Sequence, residues 1–455
     1  MNTRFSTYFE NIRGKSVAVL GLGVSNRPLV RLLLEFGCMV SGGDRTEREN
    51  LDAEVLELES MGCKLYLGEN FHENMTAEVA FRTPGMHPQA PAVVALRDKG
   101  ATITSEMEAF FEVCPCDIIA VTGSDGKTTT TTLISEMLKA EGKTVWLGGN
   151  IGTPLLPLVR QMSKNDVAVV ELSSFQLMDM KHSPRIAVVT NLAPNHLDVH
   201  KDMDEYVEAK KNIFRFQNEN GILVTNADNA ITKDLRGNGS TKTFSRLGQG
   251  RVCLQDGVIC RDGQPVLDTR EILLPGVHNV ENYMAAMLAV EDMVSDDTVR
   301  TVAKTFRGVE HRIELVRIVD GVRYYNDSIA SSPSRTIAGL RSFPEKVILI
   351  AGGYDKHIPY DVLGPEICSH VKKLFLCGAT VPKIRAAVEA APNYKAGCPE
   401  IVMVSPFTAA VETARDRAVE GDVVTLSPAC AAFDQFKNFM ERGKTFKAIV
   451  NSWEE

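Results

Sequence analysis

The stretch Val121-Thr122-Gly123-Ser124-Asp125-Gly126-Lys127-Thr128 decides the fold, because it joins a buried strand to a helix through a loop shaped for phosphate. Ile118 to Val121 is an apolar, mostly β-branched run that reads as a strand, and Thr129 to Lys139 reads as the helix behind it. Glycines let backbone N–H groups turn inward on an anion, and a helix N-terminus adds partial positive charge. The candidate nucleotide-binding residues are therefore Gly123, Ser124, Asp125, Gly126, Lys127, Thr128 and Thr129. Lys127 suits the outer phosphates and the Thr128 hydroxyl suits Mg²⁺. The common P-loop carries a glycine where this chain has Val121, so the match is to a shortened Gly-x-x-Gly-Lys-Thr loop. An ordinary glycine-rich strand-to-helix turn is the competing reading.

Outward from this loop, three blocks alternate short apolar strands with helical stretches. The first holds Val17-Ala18-Val19-Leu20-Gly21-Leu22-Gly23, a helix to about Phe36, Met39-Val40 leading to Asp44, and Val79 to Arg82 before Thr83-Pro84-Gly85. It resembles a dinucleotide-binding half with Asn26 in place of the third glycine, so a nucleotide-contacting turn and a purely structural one stand level. The second block adds strands at Val167 to Val170, Ile186 to Val189 and Ile222 to Val224, then less regular pieces such as Arg251 to Leu254. The third follows Arg307-Gly308, with strands at Val347 to Ile350, Leu374 to Leu376 and Val423 to Leu426. Such alternation predicts an α/β chain of parallel sheets with helices on both faces, its ligands collecting at strand carboxyl ends.

The bulk properties agree. The chain has 455 residues, 44% of them hydrophobic, which is enough for about three domains with proper cores. A formal net charge of −8 argues against non-specific nucleic-acid binding. No apolar run approaches spanning length and the start of the chain is mixed, so neither a signal peptide nor membrane insertion is expected. The cysteines are scattered; Cys114 and Cys116 flank Pro115 and read as a coincidence rather than a metal clamp, and reduced thiols in a cytoplasmic protein are the simplest expectation.

Several polar residues end those strands. Glu171 closes Val167-Ala168-Val169-Val170 and is placed to hold Mg²⁺, with a helix N-terminal acid as the alternative. His196, in Asn195-His196-Leu197-Asp198, is slightly favoured as a metal or phosphate contact over a structural histidine. Lys210 shares a helical face with Met203, Tyr206, Ile213 and Phe214. A buried lysine loses its proton readily, and a neutral amine can take up CO₂ as a carbamate; on the residues alone, snorkelling to solvent is preferred. Asn279 and Asn282 can read an adenine edge or cap a helix. Arg312 can place a guanidinium on phosphate, Asp327 can accept ribose hydroxyls, and Lys356 can bind a carboxylate or simply occupy a surface turn.

Taken in order, Thr-Gly-Ser-Asp-Gly-Lys-Thr-Thr, Glu-Leu-Ser-Ser-Phe-Gln-Leu, Asn-x-x-x-Asn-His-Leu-Asp, Tyr-x-x-Ala-Lys, Gly-x-His-Asn-x-x-Asn, Glu-His-Arg and Asn-Asp-Ser resemble the Mur ligase family of ATP-dependent amide ligases. The resemblance covers essentially the whole chain. It implies a Rossmann-like UDP-substrate domain at 1–105, a P-loop ATPase-like ATP-binding domain at 106–308 and a Rossmann-like amino-acid domain at 309–455. The N-terminal Gly-Leu-Gly-Val-Ser turn and the segment Ser427 to Phe439 are similar to the branch that adds D-glutamate to UDP-N-acetylmuramoyl-L-alanine. The implied metal ligands are Thr128 and Glu171 for one Mg²⁺, and His196 with a carbamylated Lys210 for a second. Asn279 and Asn282 would meet adenine, Arg312 the phosphates and Asp327 the ribose. Val24, Ser25, Asp44 and Arg45 would line the uridine site, Gly85, Asn150 and His196 the diphosphate, and Ser331, Lys356 and Phe439 would bind D-glutamate. Catalysis would rest on Lys127, Glu171, His196, Lys210 and Arg312 in a monomer serving peptidoglycan synthesis. The chain departs from the family pattern at Asp125, Ile329 and Ala432, commonly Asn, Lys and Ser. The rival readings are a sister ligase using another amino acid, including folate polyglutamylation, a nucleotide-binding protein that no longer ligates, and a nicotinamide dehydrogenase.

Overall fold

The structure, a computed structural model, describes residues 3–194, 199–248 and 250–454. It divides into two compact units, residues 1–269 with 281–302, and residues 270–280 with 303–455.

The first unit contains two sheets. β1 (Ser16–Leu20), β2 (Met39–Asp44), β3 (Lys64–Leu67), β4 (Val79–Arg82) and β5 (Thr102–Thr104) form a parallel sheet ordered β3-β2-β1-β4-β5. The second sheet is built from β6 (Asp117–Thr122), β7 (Val145–Gly149), β8 (Val167–Glu171), β9 (Ile186–Val189), β10 (Ile222–Asn226), β11 (Ser240–Ser245), β12 (Val252–Gln255), β13 (Val258–Arg261) and β14 (Gln264–Asp268). Its order is β14-β13-β12-β11-β10-β9-β6-β8-β7. β7 to β12 run parallel, and β13 and β14 close the edge as an antiparallel meander. The strands expected from the apolar runs are present, and the irregular segment supplies β11 to β14.

The two sheets share one apolar core. Phe5 and Phe9 of helix Thr3–Ile12 and Phe110 of helix Glu106–Val113 are buried in the same cluster as Val17 and Val19 of β1 and Ile118 and Ala120 of β6. Ser105 caps the second of these helices, its hydroxyl accepting the Glu108 N–H over 3.1 Å. β6 lies between β8 and β9, the point where strand order reverses, and a crevice forms there beyond the strand ends. The loop quoted above begins at that point.

The second unit holds β15 (Glu314–Val319), β16 (Val322–Asn326), β17 (Val347–Ala351), β18 (Val371–Leu376), β19 (Glu400–Met403) and β20 (Val423–Leu426), ordered β15-β16-β20-β17-β18-β19. Only β15 among these described strands runs antiparallel to its neighbour. Alternate residues of the central strands feed separate apolar clusters on the two faces: Leu349 lies in one and Ile348 and Ile350 in the other. The carboxyl ends of β16, β17 and β20 bring together Asp327, Gly352 and Ser427. Asp327 N–H donates to Leu426 O over 2.8 Å and Gly352 N–H to Pro428 O over 2.9 Å.

Candidate active site

The loop after β6 is held by side chains from neighbouring segments. Gly123 has φ +154, and a Cβ there would fall 1.9 Å from Thr190 Oγ1; Gly126 has φ +77, and its Cβ would meet Asn282 Oδ1 at 2.3 Å. Both positions therefore require glycine on conformation and on space. Thr190 Oγ1 donates to Asp125 O over 2.6 Å, and Asp125 N–H donates to Asn191 Oδ1 over 3.0 Å. The Asp125 carboxylate itself faces solvent. Gly126 is the N-cap of helix Lys127–Ala140 and has no side chain to occupy its N-terminus, the arrangement that leaves helix N–H groups for an anion. Lys127 Nζ folds back over the loop, donating to Gly123 O at 3.0 Å and Ser124 O at 2.8 Å. Thr128 and Thr129 are half-buried on the first turn, and Thr130 Oγ1 donates to Asn282 Oδ1 over 3.2 Å. Six of the seven predicted loop residues and Asn282 thus surround one turn of backbone, with Asp125 pointing outward.

Lys210 lies beneath this loop and does not snorkel. Its side chain, on helix Met203–Arg215, is 2% exposed, and Nζ donates to Gly123 O at 2.9 Å and Thr122 Oγ1 at 3.1 Å. The ammonium also sits 4.8 Å from the Tyr206 ring. Burial, then the Lys127 charge, push its pKa well below the usual lysine range, while Glu171 and Asp125 act the other way. The amine is thereby biased to its neutral, nucleophilic form. The apolar stripe overrode the length of the stem: Tyr206, Ile213 and Phe214 bury with it.

Glu171, at the end of β8, is 1% exposed. Asn150 Nδ2 donates to its Oε1 over 2.7 Å, and Asn150 N–H donates to its backbone O over 2.8 Å. Oε2 is buried without a hydrogen-bond partner among the described residues. A buried carboxylate oxygen left open fits a hard cation, which takes oxygen ligands. Among the described residues no group of three or more His, Cys, Asp or Glu forms a ready metal cluster, and His196 lies outside them.

Three side chains that sequence reasoning missed fasten this region. Ser174 and His200 are both buried; Ser174 Oγ and His200 Nε2 hydrogen-bond over 2.8 Å. The imidazole stacks on Phe175 at 5.3 Å, meets Tyr206 edge-on at 5.2 Å and faces Glu205 Oε2 at 3.4 Å from Nδ1. Tyr206 in turn hydrogen-bonds Ser124 Oγ over 2.9 Å, so one chain of contacts runs from the segment after Glu171 to the glycine loop after β6. Arg82, also buried, donates to Met86 O at 2.7 Å and to Phe175 O at 3.1 Å, tying the Thr83-Pro84-Gly85 turn to the same segment. The capping box Ser173-x-x-Gln176 marks the start of helix Ser174–Leu177 and was the available signal for Ser174; nothing local marks His200 or Arg82.

In the N-terminal sheet, Val24 is 75% exposed and Ser25 is exposed beside it. Asn26 is buried, and its Nδ2 donates to Gly21 O over 2.8 Å, so it braces the turn from inside. Asp44 ends β2, with Oδ2 accepting the Leu22 N–H at 2.8 Å and Oδ1 the Thr46 N–H at 3.0 Å. Burial raises its pKa, but those N–H groups outweigh it and hold the carboxylate below its usual range. Arg45 and Gly85 are exposed. These residues rim the carboxyl ends of β1, β2 and β4.

In the second unit, Arg312 is exposed between His311 and Ile313, whose φ values are +66 and +42. A left-handed β-branched residue is rare, and it marks a constrained turn. Asn326 Nδ2 donates to His311 Nδ1 over 2.9 Å, and His311 N–H donates to Glu314 Oε2 over 2.9 Å. Asp327 is buried, accepting the Ser427 hydroxyl at 2.7 Å on Oδ2 and the Ile313 N–H at 3.3 Å on Oδ1. Burial pushes its pKa up to about 7 against the hydrogen bonds from Ser427 and Ile313 and the charges of Arg312 and Arg335. Through the Ile313 N–H it braces the turn that carries Arg312. Asn279, in helix Val277–Val290, donates from Nδ2 to Pro275 O over 2.7 Å. Ser331 is half-buried and Lys356 exposed, while the Phe439 ring stands edge-on to His311 at 5.9 Å. Arg442 lies three residues beyond Phe439. That buried guanidinium donates to Ser328 Oγ and O, Cys430 O and Ala431 O at 3.0 to 3.1 Å, clamping the loops after β16 and β20 together.

A parallel sheet with a glycine loop at its switch point, a helix N-terminus behind the loop and a lysine across it is the construction of a nucleotide-dependent α/β enzyme. Residues 121–290 match the family model of the Mur ligase middle domain, and residues 311–430 that of the Mur ligase glutamate ligase domain. Over the full length of both chains the protein is 51% identical to UDP-N-acetylmuramoylalanine–D-glutamate ligase of Acetivibrio thermocellus. It is 49% identical to the enzyme of the same name from Clostridium botulinum, across 99% of this chain and 100% of that one. The structure of UDP-N-acetylmuramate-alanine ligase from Thermotoga maritima shares its fold, with a TM-score of 0.60 at 18% identity over 96% of this chain and 99% of the other. The chain belongs to the Mur ligase family.

Proposed function

We propose that this protein is the ATP-dependent ligase that joins D-glutamate to UDP-N-acetylmuramoyl-L-alanine in peptidoglycan precursor synthesis. The observation that carries the reading is the 51% identity, without gaps in coverage at either end, to a ligase of that name. The γ-phosphoryl group of ATP passes to the alanine carboxylate. The D-glutamate amine attacks the resulting acyl phosphate, and the tetrahedral adduct collapses to an amide with release of phosphate.

The chain's own contribution is chiefly positioning and charge. Lys127 exchanges its hydrogen bonds to Gly123 O and Ser124 O for phosphate oxygens, while the Gly126 turn and the helix N-terminus receive the rest of the anion. Glu171, with Thr128, would hold one Mg²⁺, and His196 with a carbamylated Lys210 a second, supplying neutralisation of phosphate charge. The open Oε2 of Glu171 and the buried amine of Lys210 fit those roles. Arg312, Asn279, Asn282 and Asp327 are assigned to ATP, Val24, Ser25, Asp44, Arg45, Gly85 and Asn150 to the UDP-sugar, and Ser331, Lys356 and Phe439 to D-glutamate. Domain limits at 105/106 and 308/309, a monomeric state and a cytoplasmic location complete the proposal. Among the described residues no helix is long and apolar enough to cross a membrane.

Phosphate release from ATP and Mg²⁺, measured against a panel of amino acids with UDP-N-acetylmuramoyl-L-alanine, tests the reading. Release that needs both the nucleotide sugar and D-glutamate supports it. Release with another amino acid moves the chain to a sister ligase, and no release with any pairing overturns it.

A further inference from the structure

Cys114 and Cys116 lie outside the site described above, and the structure gives them more than the coincidence of spacing. Their sulfurs are 3.6 Å apart, in mutual contact across Pro115. Cys114 ends helix Glu106–Val113, its N–H donating to Phe110 O over 2.9 Å, and Cys116 immediately precedes β6. Both are nearly buried, yet both line a cleft of about 200 Å³ whose other walls include Arg4, Asp117, His182 and Arg185. Arg185 is ion-paired with Asp117 at 2.7 Å, which leaves the cleft with more positive than negative charge. Reactive thiols sit in such electropositive, partly accessible surroundings.

We propose that Cys114 and Cys116 form a thiol–disulfide exchange site that reacts with a small anionic disulfide and ends as an internal Cys114–Cys116 disulfide. Cys116, the more exposed of the two sulfurs, is the attacking one. Its contact with the Cys114 sulfur, in which either thiol can donate, holds its pKa down against burial and the Asp166 charge. That same hydrogen bond and burial push Cys114 up, despite the charge of Arg4. The Cys116 thiolate attacks one sulfur of the reagent, forming a mixed disulfide and expelling one thiolate, which takes the proton Cys116 gave up. Cys114 then attacks the Cys116 sulfur, forming the internal bond and expelling the second thiol with the Cys114 proton. Two protein thiols are oxidised and one disulfide is reduced to two thiols. Bond formation closes the sulfurs from 3.6 Å to about 2.05 Å.

Cys114 and Cys116 are the cysteines that line this cleft, and Cys398, which is exposed, lies elsewhere. Cys253 and Cys260 are buried register partners across β12 and β13 and do not line this cleft.

The test uses the reduced full-length chain with glutathione disulfide, acid quench, alkylation and peptide mapping. The expected result is a Cys114–Cys116 peptide lighter by two hydrogens and closed to alkylation before any other cysteine reacts. Cys114→Ser should accumulate a mixed disulfide on Cys116 that dithiothreitol reverses. Arg4→Glu should slow exchange with glutathione disulfide several-fold and leave exchange with a neutral disulfide unchanged. Recovery of both thiols alkylated, earlier oxidation at Cys398 or at Cys253 and Cys260, or the same pattern in denaturant would overturn the proposal.

Discussion

Asn150 donates to one oxygen of Glu171 over 2.7 Å and leaves the other buried and open. The amide thus holds the carboxylate in one rotamer, and the other oxygen, without a partner among the described residues, is the one the proposed Mg²⁺ would take. Glu171→Gln removes a buried charge, so it should leave thermal stability unchanged or raise it by about 1 kcal/mol while cutting phosphate release at least about a hundredfold. Asn150→Ala should instead raise the Mg²⁺ concentration needed for half-maximal turnover by about 10- to 100-fold. Thermal denaturation without metal and a Mg²⁺ titration of turnover separate the two; equal behaviour of both variants would refute the division of roles.

Lys210 is a buried amine with hydrogen bonds only to Thr122 Oγ1 and Gly123 O in the described structure. Lys210→Met fills its volume without a charge and should be at least as stable as the parent, yet turn over at least about a hundredfold more slowly. Lys210→Ala leaves room for a small anion, so acetate or a similar carboxylate should restore part of its activity and none of that of the Met variant. Wild-type rates in either variant would exclude a role for the amine.

His200 links Ser174 to the Tyr206 ring. His200→Phe keeps the ring packing but strands the buried Ser174 hydroxyl, a loss of about 1–3 kcal/mol by chemical denaturation. His200→Gln can still reach Ser174 and should recover about half of it. No difference between the two would mean that packing alone is at work.

Arg442 satisfies acceptors on two loops at once. Lysine cannot reproduce that planar fork, so Arg442→Lys should destabilise the chain by about 2–4 kcal/mol. If those loops receive D-glutamate, its KM should rise about tenfold or more while the KM for ATP changes less. An equal rise in both would place the loops elsewhere in the reaction.

Stability should fall as pH rises from about 4.5 to about 7. Burial pushes Glu106 up to about 7, against the Leu156 and Leu155 N–H groups, from an ordinary value of 4.5. The folded state therefore holds the proton more tightly than the unfolded one; the favourable contribution is complete below the unfolded value and lost on passing the folded one. Glu106→Gln keeps an acceptor for the Leu156 N–H, which Oε1 receives at 2.8 Å, and should flatten this dependence. Asp327 acts in the same sense, so a residual slope should persist until Asp327→Asn is added. A pH profile unchanged by both substitutions would mean that neither carboxyl is protonated in the fold.

The strands, the glycine loop after β6 and the buried face of helix Met203–Arg215 were legible because each is a local pattern: an apolar run, a glycine at a required φ, a stripe of period 3.6. Lys210 was legible as a candidate but not as a buried group, since chain length alone permits its ammonium to reach water. Arg82, His200 and Arg442 were not legible at all. Their partners lie 93, 26 and 114 residues away, at Phe175, Ser174 and Ser328, and no local spacing announces such bonds.

By itself, then, the order of residues determined the α/β class, the place of the glycine loop and the family resemblance, because short-range sterics and hydrophobic periodicity act within a few residues. Tertiary structure alone decided that the N-terminal and central sheets share a core, that Asp327 braces a turn, and that Cys114 and Cys116 share a charged cleft. Burial and desolvation depend on everything that packs around a group, and that environment is assembled from segments far apart in the chain.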